Sequence, residues 1–281
     1  MEVISRQIAN AHTCFNITMT LIWVCLIGVM VKIVMFLIPD GKKTESDPFE
    51  TLYLDENVKN QPAAALQLVA KEILHLSDQV KKVLHDTVTV VKEIRCKVLD
   101  KIQEESAKVT KLTDKITDYL AGLFSSGLLT EQQASQTAGL MYVLGDVERI
   151  GNLSAGIALS MKEKETNQYK YSQEAMDELA KCLKTLEKMF DSATKALRGD
   201  TTVELEKLMK RKDKIVNLDI MMRKSHIQRV NKGKCKASLT TPFTNILHLI
   251  DRMGNSCINL ADAATNEVAL KYFLPKDEMT M

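Results

Sequence analysis

Glu148-Arg149-Ile150-Gly151-Asn152 returns later in the chain as Asp251-Arg252-Met253-Gly254-Asn255, so an acid, an arginine, an aliphatic residue, a glycine and an asparagine stand twice in the same order. Laying one copy on the other also pairs Leu144 with Leu247, Ile157 with Leu260 and Ala158 with Ala261. Similarity that runs beyond a short core at fixed register marks a duplicated structural unit. Both copies lie in runs whose apolar residues recur at helical spacing: Leu144, Val147, Ile150 and Ile157 in the first, Ile246, Leu249, Ile250, Met253 and Leu260 in the second. Residues four apart share a helix face, so the acid and the asparagine of each copy present paired oxygens, and the glycine lets another backbone come close.

Outward from these motifs the pattern predicts six long helices, about 61–92, 95–125, 131–165, 171–198, 202–231 and 242–270, in two sets of three with the motif on each third helix. Ser125-Ser126-Gly127 ends the second run, and Thr130 with Gln133 forms a capping box that starts the third. Gly199-Asp200 closes the fourth run, and Thr201 with Glu204 predicts a second capping box for the fifth. Gly233 breaks the chain again, and Thr241-Pro242 supplies an N-cap followed by a proline at the first helical position. No alternating strand pattern and no glycine-rich phosphate loop is present. The expected fold class is all-α: an N-terminal transmembrane helix with its leader over 1–40, a linker over 41–60, and three-helix units over 61–168 and 169–281.

The 281 residues are 45% hydrophobic and 26% charged, which suits a globular helical protein. Thirty-eight basic residues nearly cancel 36 acidic ones, so the net charge of +2 argues against a dedicated nucleic-acid binder. Cys14, Cys25, Cys96, Cys182, Cys235 and Cys257 form no Cys-x-x-Cys pair, which points to reduced thiols in a reducing compartment. From Phe15 to Ile38 the chain is almost continuously apolar, long enough to cross a bilayer core of roughly 30 Å. Trp23 and Lys32 are its membrane-facing residues, and Lys32 either snorkels or faces a neighbouring helix. Lys42 and Lys43 after the run favour a single pass through the plasma membrane with the helical part in the cytoplasm. No nucleophile–base pair or nucleotide loop stands out, so no enzyme is expected.

Two three-helix units with an acidic-Arg-aliphatic-Gly signature on each third helix resemble the PhoU family, regulators of bacterial phosphate uptake. The leader Arg6-Gln7-Ile8-Ala9-Asn10-Ala11-His12 followed by Phe15-Asn16 resembles the approach to the last membrane helix of bacterial sodium/phosphate cotransporters, which carry a PhoU-like domain at the C-terminus. Leu54-Asp55-Glu56 before Pro62-Ala63-Ala64-Ala65-Leu66, and His226 to Arg229 with Gly233-Lys234-Cys235, are similar to parts of that domain. The resemblance covers the back portion of such a transporter and implies a C-terminal fragment, a split subunit or the product of a shortened gene. A single spanning helix does not transport by itself.

The resemblance also implies carboxylate pairs on the second and third helices that gather metal ions. Here Asn152 and Asn255 replace the final acid of each third-helix pair, while Ser106 with Thr110 and Lys212 with Val216 stand at the second-helix places. Glu148, Asn152, Asp251 and Asn255 are the candidate metal ligands, with two carboxylates where hard cations favour several. The competing reading makes Arg149, Gly151, Arg252 and Gly254 helix-packing positions, with Glu148 paired to Arg149 or Arg252, and this reading is preferred, with no cofactor. On the fifth helix, Leu205, Leu208, Ile215, Leu218, Met222 and Ile227 form the expected core stripe, Met209 and Met221 are expected core fillers, His226 is a structural histidine, and the basic residues form a solvated face. The expected function is a membrane-tethered regulatory module whose partners are the membrane, a transporter membrane domain, another PhoU-like bundle or a second copy. A divalent-metal module, or an anchored helical scaffold unrelated to phosphate, is the alternative.

Overall fold

Long stretches poor in glycine and proline, with apolar residues three and four apart, leave the backbone one way to satisfy its hydrogen bonds while burying a stripe, and that way is helix. A computed structural model of the protein describes residues 2–37, 50–92, 96–166, 171–200, 202–265, 270 and 273. Its helices are α1 Glu2–Leu37, α2 Pro62–Lys92, α3 Cys96–Ser125, α4 Glu131–Thr166, α5 Gln173–Leu197, α6 Leu205–Asn231 and α7 Thr240–Thr265, with single 3-10 turns at Glu56–Val58 and Ala237–Leu239. The described residues contain no strand. The chain divides into two compact units, Met1–Asp47 and Pro48–Met281.

In the first unit, Ala9–Met30 of α1 is the one stretch among the described residues long and apolar enough to cross a membrane. Trp23 within this stretch and Lys32 just beyond it on α1 are both exposed. Ile38, the expected end of the apolar run, lies outside the described residues.

The second unit holds α2–α7 around one apolar cluster. Helix α4 packs against α2, α3 and α7, and α5 packs against α2, α6 and α7, so α3 and α6 are the outer helices of their respective threes. Residues 50–60, expected as the end of a linker, lie against this bundle. The Tyr53 amide donates to the buried Glu72 carboxylate at 2.7 Å, and the Tyr119 hydroxyl donates to the Asp55 carbonyl at 2.8 Å.

Local chemistry sets the helix ends. The Thr130 amide donates to Gln133 Oε1 at 3.0 Å and the Gln133 amide to Thr130 Oγ1 at 3.2 Å, the reciprocal capping box that opens α4. Gly199 (φ 97°) and Gly233 (φ 66°) take the left-handed conformation that closes α5 and α6. There the Asp200 and Lys234 amides turn back onto the Lys195 and Arg229 carbonyls at 3.1 and 2.9 Å. Two expected starts differ. Thr201 lies outside the described residues, and Glu204 precedes α6 without a side-chain cap because the turn before it is held by Asp200, whose Oδ1 accepts from the Thr202 amide at 2.9 Å. Helix α7 begins at Thr240, directly after a 3-10 turn, so Pro242 falls inside its first turn, where amide hydrogens have no helical partner to lose.

Helix α6 also corrects the expected core stripe. Leu208, Ile215, Met222, His226 and Arg229 are its buried residues, whereas Met209, Met221 and Ile227 are exposed. Each of these exposed residues is next in sequence to a buried one, and one residue turns the side chain by about 100°. The basic face is likewise not uniformly solvated, since buried Arg229 donates to Glu178 Oε2 at 3.3 Å and Arg211 Nη1 to Ser192 Oγ at 2.7 Å.

His226 joins α6 to the start of α7. Its ring stacks on Phe243 with centroids 4.8 Å apart, Nε2 lies 3.0 Å from Thr240 Oγ1, and Nδ1 lies 3.9 Å from Cys235 Sγ. Burial, helped by the Arg229 charge, pushes its pKa below the ordinary value. The folded protein therefore binds this proton less readily than the unfolded chain, so the stabilising contribution is complete above the unfolded value of about 6.5 and is lost as pH falls through that value towards the folded one. Chemical denaturation of the full chain in detergent should show stability decreasing below about pH 6.5, with a shallower decrease in His226→Phe. Equal slopes for the two proteins would uncouple His226 from acid sensitivity.

Candidate functional site

The first motif lies where α4 crosses α2 and α3. Ile150 and Gly151 are buried, and a methyl group on Gly151 would sit 3.3 Å from both Val80 Cγ2 and Val109 Cγ1, so this glycine is a point of close approach. One residue on, Asn152 Oδ1 accepts hydrogen bonds from Ser106 Oγ at 3.0 Å and Thr110 Oγ1 at 3.2 Å. Its Nδ2 donates to Glu148 Oε1 at 3.1 Å, one turn back on α4. The hydroxyl donors fix the amide oxygen towards α3, which leaves the amide hydrogens for the carboxylate. The second-helix hydroxyls and the third-helix pair thus meet as a hydrogen-bonded network with a single carboxylate.

The second motif meets α6 differently. Lys212 Nζ donates to Asp251 Oδ1 at 2.5 Å and to the Asp251 carbonyl at 2.9 Å, while Asn255 Nδ2 reaches Asp251 Oδ2 at 3.4 Å. The lysine side chain is only 15% exposed. It lies directly over Gly254, where a methyl group would come within 3.1 Å of Lys212 Cδ and 3.2 Å of Nζ. The glycine makes room for the lysine, and the lysine brings a fixed ammonium to the carboxylate.

Each ligand pair thus turns to the second helix of its own unit, and no hydrogen bond or ion pair among the described residues joins Glu148 or Asn152 to Asp251 or Asn255. These donor sets do not fit a hard divalent cation. The α3–α4 cluster offers one carboxylate among neutral oxygens, and the α6–α7 cluster already holds a positive charge on its only carboxylate. Among the described residues no group of three or more His, Cys, Asp and Glu side chains is placed to hold a metal.

The arginines of the motif take no part in close packing. Arg149 and Arg252 are exposed, Arg149 reaching Asp146 at 4.0 Å, and Glu148 is held by Asn152 rather than by either arginine. Sequence reasoning placed Ser106, Thr110 and Lys212 in register with the motifs but gave them no role. The signal was present in the pair of hydroxyl residues four apart on α3 and in a lysine at the equivalent place on α6.

Two substitutions probe these clusters. Lys212→Met keeps the side chain's length and removes its charge, and should lower stability by about 1–2 kcal/mol through loss of charge-assisted hydrogen bonds, read as a lower melting temperature. Asn152→Asp turns a donor facing Glu148 into a second carboxylate. It should destabilise the protein by about 0.5–1 kcal/mol near neutral pH, with recovery as one carboxyl takes up a proton on acidification towards about pH 4. Melting curves across that range that run parallel to wild type would show that the two side chains do not interact.

The comparisons agree with this architecture. The structure of PhoU from Pseudomonas aeruginosa superposes with a TM-score of 0.61 at 14% identity, covering 70% of this chain and 93% of that one. The phosphate transport system regulatory protein PhoU from Streptococcus pneumoniae gives 0.60 at 16% identity, covering 73% and 95%. At these identities the likeness is one of fold. No curated protein matches the sequence. The PhoU domain model matches twice, at residues 73–161 and 179–264, the two segments that carry the repeated motifs and together more than half of the chain. The chain therefore belongs to the PhoU domain family, with two copies of the domain packed on a shared core.

Proposed function

We propose that this protein is the membrane-tethered regulatory module of a sodium-dependent phosphate cotransport system, acting by contact rather than by chemistry. The observation that carries the reading is the succession, in one chain, of an apolar helix long enough to span a bilayer and two PhoU domain copies. The leader before the apolar stretch, Arg6 to His12, adds its similarity to the approach to the last membrane helix of sodium/phosphate cotransporters. One spanning helix encloses no ion path by itself, so transport in this reading needs further membrane helices beside α1. In this reading α1 sits in the plasma membrane and the bundle in the cytoplasm. The free thiols of Cys182, Cys235 and Cys257 suit that compartment.

Outer helix α6 provides a contacting face. Met209, Val216, Ile220 and Ile227 are all exposed and are spaced seven, four and seven residues apart, which lines them up along one side of the helix. An apolar line of this kind suits a helix or bundle surface of the transport machinery. A regulator that works by contact acts by binding one conformation of its partner better than another, and the difference in contact energy sets the size of the effect.

Deleting the chain from its host should change the rate of sodium-driven phosphate uptake, or its dependence on external phosphate, by several-fold. The wild-type chain should restore it, and a well-folded Ile220→Asp/Ile227→Asp variant should not. Uptake that is unaltered by the deletion would remove the proposal.

A further inference from the structure

A cleft of about 570 Å³ opens where the end of α2 meets α5 and α6, on residues outside both motif clusters. Its wall carries Lys92, Lys181, Lys184, Lys188, Arg211 and Lys214, with Asp177 as the sole carboxylate among the described residues. Lys181, Lys184 and Lys188 are spaced three and four residues apart on α5 and so point the same way. Lys92 and Arg211 with Lys214 come in from the two neighbouring helices.

The arrangement departs from the way this protein treats its other cations. Around the same helices Lys81 pairs with Asp191, Arg198 with Asp78, Lys101 with Asp86 and Lys210 with Glu206. Among the described residues no ion pair reaches Lys92, Lys181, Lys184, Lys188 or Lys214. The nearby acids are already engaged, Asp177 by Gln173 at 3.1 Å and Glu187 by His85 at 2.7 Å. Arg211 is held in place by Ser192 without being neutralised. Lys184 is the neighbour that lowers the Lys92 pKa, first through its side chain and then through charge repulsion, and the nearby Asp177 and Glu187 only partly oppose it. Like charges brought together from different helices raise the energy of the free protein, and an anion with several charges lowers it again.

We propose that this cleft binds a small anion carrying several linked phosphate groups. The six cations from three helices suit a chain of charges better than a single one, and each lysine is a point donor to a phosphate oxygen. Among the described residues no aromatic side chain lines the cleft to stack a nucleobase, and recognition falls on the phosphates themselves. The same chemistry is found in free oligophosphates and in phospholipid headgroups, and the concave form of the cleft favours the soluble ligand. The inference does not depend on the transporter reading.

Isothermal titration of the full chain in detergent, with inorganic tripolyphosphate as the probe and orthophosphate for comparison, tests the site. Tripolyphosphate should bind at least tenfold more tightly than orthophosphate and weaken as salt is raised. Lys184→Glu/Lys188→Glu should lower that affinity by more than tenfold. Lys232→Glu/Lys234→Glu, which changes the net charge equally away from the cleft, should leave it within about twofold. Circular dichroism of both variants checks folding, and Lys181→Gln/Lys184→Gln serves as a milder variant with a smaller loss. Equal weakening by the two charge reversals, no preference for tripolyphosphate, or no binding would overturn the proposal. Displacement of tripolyphosphate by an equal concentration of water-soluble dihexanoylphosphatidylglycerol would overturn it in favour of a lipid-headgroup site.

Discussion

A three-helix unit of this sequence has more apolar surface than its own helices can cover. Helix α4 shows this most directly. It touches α2, α3 and α7, and from Ile150 to Ala158 it buries Ile150, Gly151, Leu153, Ser154, Ala155, Ile157 and Ala158, which occupy most of its circumference. A helix buried nearly all round needs neighbours on every side. Two come from its own unit and the third is α7 of the other, while α2 meets α5 in the same way. Two small polar residues caught in this core bond to their own helix, Ser154 to the Ile150 carbonyl and Thr87 to the Val83 carbonyl, so they cost little to bury. The two domain copies consequently share one hydrophobic cluster, and the position of each outer helix is referred to the same core.

Once the third helices are fixed by packing, their polar faces have to be neutralised against the outer helices, and the two copies do this in different ways. Against α3 the solution is a hydrogen-bonded amide between two hydroxyls and a carboxylate. Against α6 it is a lysine whose ammonium takes the place that a bound cation would fill beside Asp251. A tethered ammonium cannot dissociate, so this contact is permanent where an ion-filled one varies with ion supply. The duplication preserved a close side-chain contact at each glycine, valines at Gly151 and Lys212 at Gly254, while the charges around it diverged.

The architecture was legible because it rests on short-range regularities. The period of the apolar residues, the Thr130–Gln133 capping box and the glycines at 199 and 233 each act within a turn or two of helix, and they located most of the helix ends to within two or three residues. Features that depend on how helices are rotated against one another were not legible. Ile227 and Met209 look like core residues by spacing alone, yet the burial of His226 and Arg229 sets the phase of α6 and turns them outward. The cleft is of the same kind. Lys92 is far from Lys184 in sequence, and only the packing of α2 on α5 brings them together.

Helix α6 combines these constraints. Five of its residues are buried, and two of those are His226 and Arg229, so apolar area contributes less to its placement than to that of α2 or α5. Directional contacts position it instead, from Lys212 to Asp251, Arg229 to Glu178, Arg211 to Ser192 and His226 to Thr240. Apolar surfaces tolerate small slides, whereas a charged hydrogen bond loses most of its strength when its geometry is spoiled. Anchored on α5 and α7 at four places along its length, α6 is held in one rotation. That rotation sets Arg211 and Lys214 on the cleft while turning Met209, Val216, Ile220 and Ile227 to solvent. The cleft and the apolar line therefore keep a fixed spacing on one helix, set by the same four anchors that choose its rotation.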